Sequence, residues 1–241
     1  MENPFLKPHL ESTDMTDLQV QRLRRLDVCA VSDALDKLQL SGVVTGLPHR
    51  SSAPGGMSRI AGRAVTMKVG PGTPLPGPPK HLGCTAIEAS GADNVIVVEQ
   101  RSGVEAGCWG GLLTLGAKVR GVAGVVADGP LRDVDEAIAY EFPIYSRSLT
   151  SRTARTRVVE LGTQVPVTIG AAVGGEVVVN PGDYVLADRS AVIFISPENI
   201  ERVLQAAEMI VAKEAAMAKA ILSGTPIGEV MGGNYEHMLE N

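Results

Sequence analysis

The chain reads as an α/β protein, one domain of mixed strands with peripheral helices. Three observations predict this. A β–α–β unit (NVIVVE, then WGGLLTLGAKVRG, then VAGVVADG) occupies the middle of the sequence. A succession of short apolar segments separated by Gly-rich turns follows it, and a long run of helical period closes the chain. With 241 residues, 44% of them hydrophobic but only 3% aromatic, the chain can bury a large core packed mainly by aliphatic side chains.

The elements follow in order. Thr16 and Asp17 precede LQVQRLRRLD and then VCAVSDALDKL, in which Leu23, Leu26, Ala30, Ala34, Leu35 and Leu38 recur at helical spacing, so two short helices are expected. Turn residues fill 47–56, and RIAGRAVTMKV then alternates apolar and polar positions like a half-buried strand. The Pro/Gly-rich stretch around 70–79 lacks the amide donors for regular structure and reads as a loop, either a mobile excursion or a functional one. After the central unit come a short helix (RDVDEAIAYEF), the strand PIYSRS, and β segments VPVTIGAAV, EVVVNPGDYVLAD and AVIFI. Ser196, Pro197 and Glu198 signal the start of a C-terminal helix over about 198–222.

Composition excludes several functions. A net charge of −5 supplies no field for a phosphate backbone, so nucleic acid is not expected as a partner. No run approaches the roughly 20 apolar residues of a membrane span, and residues 1–10 lack a secretory pattern, so a cytoplasmic protein without a membrane partner is expected. Three cysteines without CxxC spacing and four histidines without HxH or HExxH spacing give no zinc site, leaving oxygen ligands for any metal. GxGxxG and GxxxxGK[ST] are missing, which argues against NAD and ATP, and no Gly-rich loop follows a first strand to hold S-adenosylmethionine.

Chemistry concentrates around the central unit. The strand VAGVVAD runs into Asp128, Gly129, Pro130, Leu131, Arg132 and Asp133, delivering a guanidinium and two carboxylates to the strand's C-terminal end, where α/β sheets gather ligands. Caps for a turn and helix are the alternative role for these carboxylates. Upstream, Gly107, Cys108, Trp109, Gly110, Gly111, Leu112 and Leu113 form a glycine-rich turn into a helix, whose free amides suit an anion; close helix–sheet packing is the alternative. Trp109 either walls a substrate or belongs to a core or subunit contact. Arg63 either binds substrate carboxylates or pairs on the sheet face. Cys108 has no base partner for nucleophilic work.

The segment GCWGGLLTLGAKVRGVAGVVADGPLRDVDEA resembles the signature of the RraA-like family of 4-hydroxy-4-methyl-2-oxoglutarate aldolases, which also includes regulators of ribonuclease activity. The likeness extends from VSDAL at 31–35 through GRAVT at 62–66 to PGDYVLAD at 181–188, and thins before Asp27 and after Ser223. It implies a swivelling β/β/α fold in homotrimers or homohexamers with sites between subunits. It further implies Asp133 as the ligand of a divalent cation (Mg²⁺ or Mn²⁺), Arg132 against the keto oxygen, and the amides of Gly110, Gly111, Leu112 and Leu113 on the substrate carboxylate. A glutamate from a neighbouring subunit's C-terminal helix would hold water at the metal; Glu214 is the candidate and Glu208 the reserve. One departure stands out, since the aldolases carry Asp where this chain has Gly111.

The implied activity is that of a class II pyruvate aldolase acting on a 4-hydroxy-2-oxo acid, of the 4-hydroxy-4-methyl-2-oxoglutarate or 4-carboxy-4-hydroxy-2-oxoadipate type met in aromatic degradation, together with oxaloacetate decarboxylation. A non-catalytic regulator that binds a ribonuclease is the alternative. Cleavage beside a ketone leaves an enolate that needs either an imine to lysine or a Lewis acid. Lys68 is the one lysine within a convincing strand, and its position on the polar face with Thr66 favours a solvated side chain, hence the metal route.

Overall fold

The computed structural model describes residues 17–51, 59–78, 80–173 and 175–232. The expectations placed on residues 1–10 and on 52–56 lie outside them.

Two short helices open the described chain, α1 (Leu18–Leu23) and α2 (Val28–Lys37). Each is started by an aspartate whose carboxylate accepts a first-turn amide, Asp17 from Val20 and Asp27 from Ala30. There follow β1 (Val43–Val44), β2 (Ile60–Gly70), α3 (Cys84–Glu88), β3 (Asn94–Glu99), α4 (Gly111–Val119), β4 (Gly124–Leu131), α5 (Val134–Ala139) and β5 (Ile144–Leu149). The remainder is β6 (Val159–Thr163), β7 (Val167–Gly170), β8 (Glu176–Val179), β9 (Tyr184–Ala187), β10 (Val192–Ile195), α6 (Ile200–Leu222) and α7 (Ile227–Val230).

One mixed sheet has the order β1-β10-β9-β2-β3-β4-β5, with β6 also pairing with β2. β2, β3, β4 and β5 are mutually parallel, whereas β9 and β6 run antiparallel to successive halves of β2. The hairpin β7–β8 forms a second, two-stranded sheet.

Side-chain alternation sorts these elements into layers. Val65, Met67, Ile96, Val98, Val125 and Ala127 face a cluster shared with Leu113 and Ala117 of α4 and Ala137 of α5. Leu186, Ile193 and Ile195 pack with α1, α2 and α6. Their neighbours Val95, Val97, Val126, Val185 and Phe194 point the other way, onto Val167, Ile169 and Val179 of the hairpin. The stack is thus hairpin, sheet, helices, a β/β/α arrangement in which withdrawing each large aliphatic side chain from water contributes roughly 1.5–3 kcal/mol.

This layering corrects one expectation. The half-buried strand predicted at RIAGRAVTMKV is buried on both faces, and only Arg63 and Lys68 of β2 are partly open to solvent. Its polar-looking positions are filled by Gly62, Ala64 and the buried Thr66, whose hydroxyl donates to the Val165 carbonyl, so the hairpin layer accepts them. Gly70, expected within the Pro/Gly-rich loop, closes β2, and the described residues 71–78 that follow form no helix or strand. This loop forms one wall of a cleft of about 920 Å³ that is also lined by Thr153, Ala154, Arg155, Val158 and Glu160. The long helix begins at Ile200, and its N-cap Asn199 makes no side-chain capping bond; Ser196 instead accepts from the Asn199 amide group. No described helix is long and apolar enough to cross a membrane.

Candidate active site

The site is assembled by an irregularity in β4. Register with β5 slips between Ala127 and Pro130. At Gly129 a Cβ would stand 2.8 Å from the Gln100 Cβ and 2.9 Å from the Cys108 Sγ, so the chain passes there only as glycine. Beyond the slip, residues 107–110 run alongside the strand end: the Cys108 amide donates to the Pro130 carbonyl, Trp109 bridges Leu131, and the Arg132 amide donates to the Trp109 carbonyl. The C-terminal end of β4 and the start of α4 are thereby clamped together.

Asp133 follows at φ 58°, a left-handed conformation that aspartate tolerates better than most side chains. It occupies the N-cap position of α5 yet makes no capping bond there. Its Oδ2 instead accepts the Gly111 amide across the gap at 3.0 Å. The Arg132 Nε lies 3.6 Å from the same oxygen, each side chain being 34% exposed. That Nε is buried without a hydrogen-bond partner among the described residues. The stem of Arg132 rests on Gly107, where a Cβ would meet its Cγ at 2.6 Å and its Cδ at 2.7 Å. Gly110 leaves equal room for Asp133, whose Oδ2 is 2.9 Å from where a Cβ would be.

Of the four amides expected to meet an anion, that of Gly111 is engaged by Asp133. Those of Leu112 and Leu113, at the start of α4, have no acceptor among the described residues. The Leu112 side chain is 86% exposed, while that of Leu113 is buried against Gly83.

Other candidates fall elsewhere. Asp128 does not join Asp133 at the mouth of the sheet: strand alternation puts it on the face of β4 that carries Val126, the hairpin side, where it accepts from the Arg147 Nε at 2.8 Å and the Gly170 amide at 2.6 Å. Arg101 approaches its second oxygen at 3.4 Å. Trp109 is a core residue, 1% exposed, with its indole N–H donating to the Thr114 hydroxyl. Arg63 takes the pairing role, bound to Asp17 at 2.8 Å and the Gly182 carbonyl at 2.9 Å, and stacked over Tyr184. Cys108 is buried, and desolvation pushes its thiol up to about 12, which leaves it inert. Lys68 is 42% exposed and paired with Glu99, far from the dry pocket that a Schiff base needs.

In its own chain Glu214 lies on the α2 side of α6 rather than beside Asp133. Burial first, then the charges of Asp27 and Asp33, raise its carboxyl above the ordinary value. The reserve, Glu208, is engaged in a two-point contact with Arg22, which lowers its carboxyl.

Sequence reasoning missed Glu136. A Cβ on Gly111 would fall 1.9 Å from its Oε2, so this carboxylate occupies the space beside the glycine. An acidic residue in the first turn of α5 was visible in the sequence, but its proximity to Gly111 was not.

Taken together, a β/β/α sheet core carrying a guanidinium and a carboxylate at a glycine-walled helix start defines the class. The chain belongs to the RraA-like family, whose model, described as Aldolase/RraA, matches residues 28–194. It is 30% identical over 204 residues to a protein of Halalkalibacterium halodurans named a putative 4-hydroxy-4-methyl-2-oxoglutarate aldolase, covering 84% of this chain and 88% of that one. It is 27% identical over 225 residues to Protein DlpA of Legionella pneumophila, covering 93% of this chain but only 35% of that longer protein. Among solved structures, an uncharacterized protein of Pseudomonas syringae pv. tomato superposes with a TM-score of 0.74 at 25% identity, over 88% of this chain and 92% of that one. Streptomyces coelicolor RraAS2, described as an unusual member of the RNase ES inhibitor RraA protein family, does so with a TM-score of 0.67 at 21% identity, over 87% and 98%.

Proposed function

We propose that the chain is a divalent-cation-dependent carbon–carbon lyase that cleaves a 4-hydroxy-2-oxo acid to pyruvate and a second carbonyl compound, and that also decarboxylates oxaloacetate. Substrates of the 4-hydroxy-4-methyl-2-oxoglutarate or 4-carboxy-4-hydroxy-2-oxoadipate type are the ones the family likeness favours. The observation that carries this reading is the Arg132–Asp133 pair, with a buried guanidinium nitrogen that lacks a partner and faces a carboxylate at the open start of α4.

The donor set fits such a cation. Among the described residues no three His, Cys, Asp or Glu side chains form a metal-holding group. A cation here would take one or two carboxylates, with Asp133 as its ligand, and leave its other positions to water and substrate, as Mg²⁺ and Mn²⁺ do. When bound, it would supply Lewis-acid stabilisation of charge on the keto oxygen.

The chain's own groups have separable tasks. The bond between the hydroxyl-bearing carbon and its neighbour breaks, and its electron pair moves toward the ketone, giving the enolate of pyruvate, which is then protonated on carbon. Arg132 neutralises charge growing on that oxygen, a contribution worth roughly 3–4 kcal/mol per donor in other enzymes. The amides of Leu112 and Leu113, and that of Gly111 if Asp133 releases it, receive the substrate carboxylate. The hydroxyl proton leaves to water oriented by Glu214 of a neighbouring subunit in a homotrimer or homohexamer. The raised carboxyl of Glu214 suits a proton-handling role. A non-catalytic regulator of ribonuclease activity remains the second reading; likeness to RraAS2 supports it at the level of fold alone.

The test is a coupled assay for pyruvate with oxaloacetate and with 4-hydroxy-2-oxo acids, with and without Mg²⁺. Pyruvate should appear with Mg²⁺ and cease on chelation; no pyruvate from any of these acids, or release indifferent to chelator, would overturn the reading.

A further inference from the structure

We infer that Glu136 is a second carboxylate of this site, acting beside Asp133 on the bound cation or on the water around it; the inference rests on the cation-dependent reading above. The two residues stand three apart at the start of α5, and neither does what its position would ordinarily dictate. Asp133 at the N-cap makes no capping bond, and Glu136, at the position where a glutamate usually reaches back to the N-cap amide, makes none either. Both side chains instead turn toward the first residue of α4. Asp133 accepts the Gly111 amide at 3.0 Å, and the Oε2 of Glu136 stands where it would be 1.9 Å from a Cβ on that residue, with its Cδ at 2.7 Å. The Asp133 Cβ lies 3.3 Å from the same point.

A side chain at residue 111 and the exposed carboxylate of Glu136 would therefore compete for one space, and with glycine there the carboxylate occupies it. That carboxylate forms no hydrogen bond or ion pair with any described residue, although its backbone amide is tied to the Asp133 carbonyl at 3.2 Å. Two carboxylates held against one helix start repel each other, and Arg132, 3.6 Å from Asp133, is the cation beside them. An added divalent cation relieves that repulsion and gives Glu136 a partner. Glu136 is then a positioning residue if it acts through water, and a ligand if it binds directly; either role lowers cation affinity when it is lost.

The experiment titrates the full chain with Mn²⁺ and follows the signal of free Mn²⁺ by electron paramagnetic resonance, with thermal melting in the absence of metal as the check on folding. The wild type should bind, Asp133→Asn should lose binding, and Glu136→Gln should bind at least about tenfold more weakly while melting no lower than wild type. Because the space beside residue 111 is shared, Gly111→Asp combined with Glu136→Ala should recover most of the affinity that Glu136→Ala alone loses. Wild-type binding with unchanged affinity in Glu136→Gln overturns the role of Glu136 and leaves the cation site standing. A wild type that binds no Mn²⁺ overturns both.

Discussion

Gly107→Ala tests the placement of Arg132 without removing a charge. Gly107 is buried, and its backbone is not in the left-handed region, so alanine can adopt its conformation. The new Cβ would stand 2.6 Å from the Arg132 Cγ and 2.7 Å from its Cδ. That is about 1 Å inside the roughly 3.5 Å at which carbon atoms meet without repulsion. The Arg152 carbonyl oxygen would be 3.3 Å from the same Cβ, and the Gly107 amide is tied to that carbonyl at 2.9 Å, which holds the backbone of residue 107 in place. The stem of Arg132 must therefore move, carrying the guanidinium with it. A misplacement near 1 Å costs on the order of 10²-fold in rate, whereas overpacking of this kind costs stability only about 1–3 kcal/mol. Pyruvate release from oxaloacetate with Mg²⁺ would give kcat and KM for Gly107→Ala, Arg132→Ala and the double variant. The single variants should both lose kcat, and the double should be little worse than Arg132→Ala, because one side chain carries both effects. Wild-type kcat in Gly107→Ala, or fully additive losses, would refute the reasoning.

Two further predictions concern stability. The His49 ring lies against Tyr145, tilted by 44° at a centroid distance of 4.9 Å, with both ring nitrogens unpartnered among the described residues; burial first, then the charge of Arg189, holds it down to about 4 from its ordinary 6.5. The unfolded chain therefore binds a proton between pH 6.5 and about 4 that the folded chain refuses, so stability falls as pH drops through that window. Urea unfolding of His49→Leu should show a shallower loss over the same range, and an identical pH slope would contradict this. Asp128→Ala strips the buried carboxylate from Arg147, Arg101 and the Gly170 amide, and should cost about 3 kcal/mol by the same measurement, with a loss below about 1 kcal/mol counting against the network.

Much of the fold was legible because its determinants are local. NVIVVE and VAGVVADG are near-continuous apolar runs, as strands covered on both faces must be, and α6 repeats its apolar positions long enough to be unmistakable. β6 escaped notice because the one buried residue of VELGT is Gly162, which shows no apolar side chain, and the strand owes its existence to pairing with the far half of β2. α3 is five residues long, too short for a period to show. The burial of β2 on both faces depended on the hairpin, which nothing within RIAGRAVTMKV reports. At the site, Arg132 and Asp133 were legible from their place at a strand end, whereas Asp128 lies on the opposite face of β4 with Val126, under a hairpin that the local sequence does not report. Glu136 was hidden because its meaning lies in which glycine it leans over, a contact between separate helices.

The most direct measurement is a crystal structure of the protein with Mg²⁺ and oxalate, a flat dianionic mimic of the pyruvate enolate. The account predicts a cation bonded to an Asp133 oxygen at roughly 2.1 Å, with oxalate chelating it and the Arg132 guanidinium on one oxalate oxygen. Oxalate and cation bound elsewhere, or Asp133 still on the Gly111 amide with no metal beside it, would contradict it.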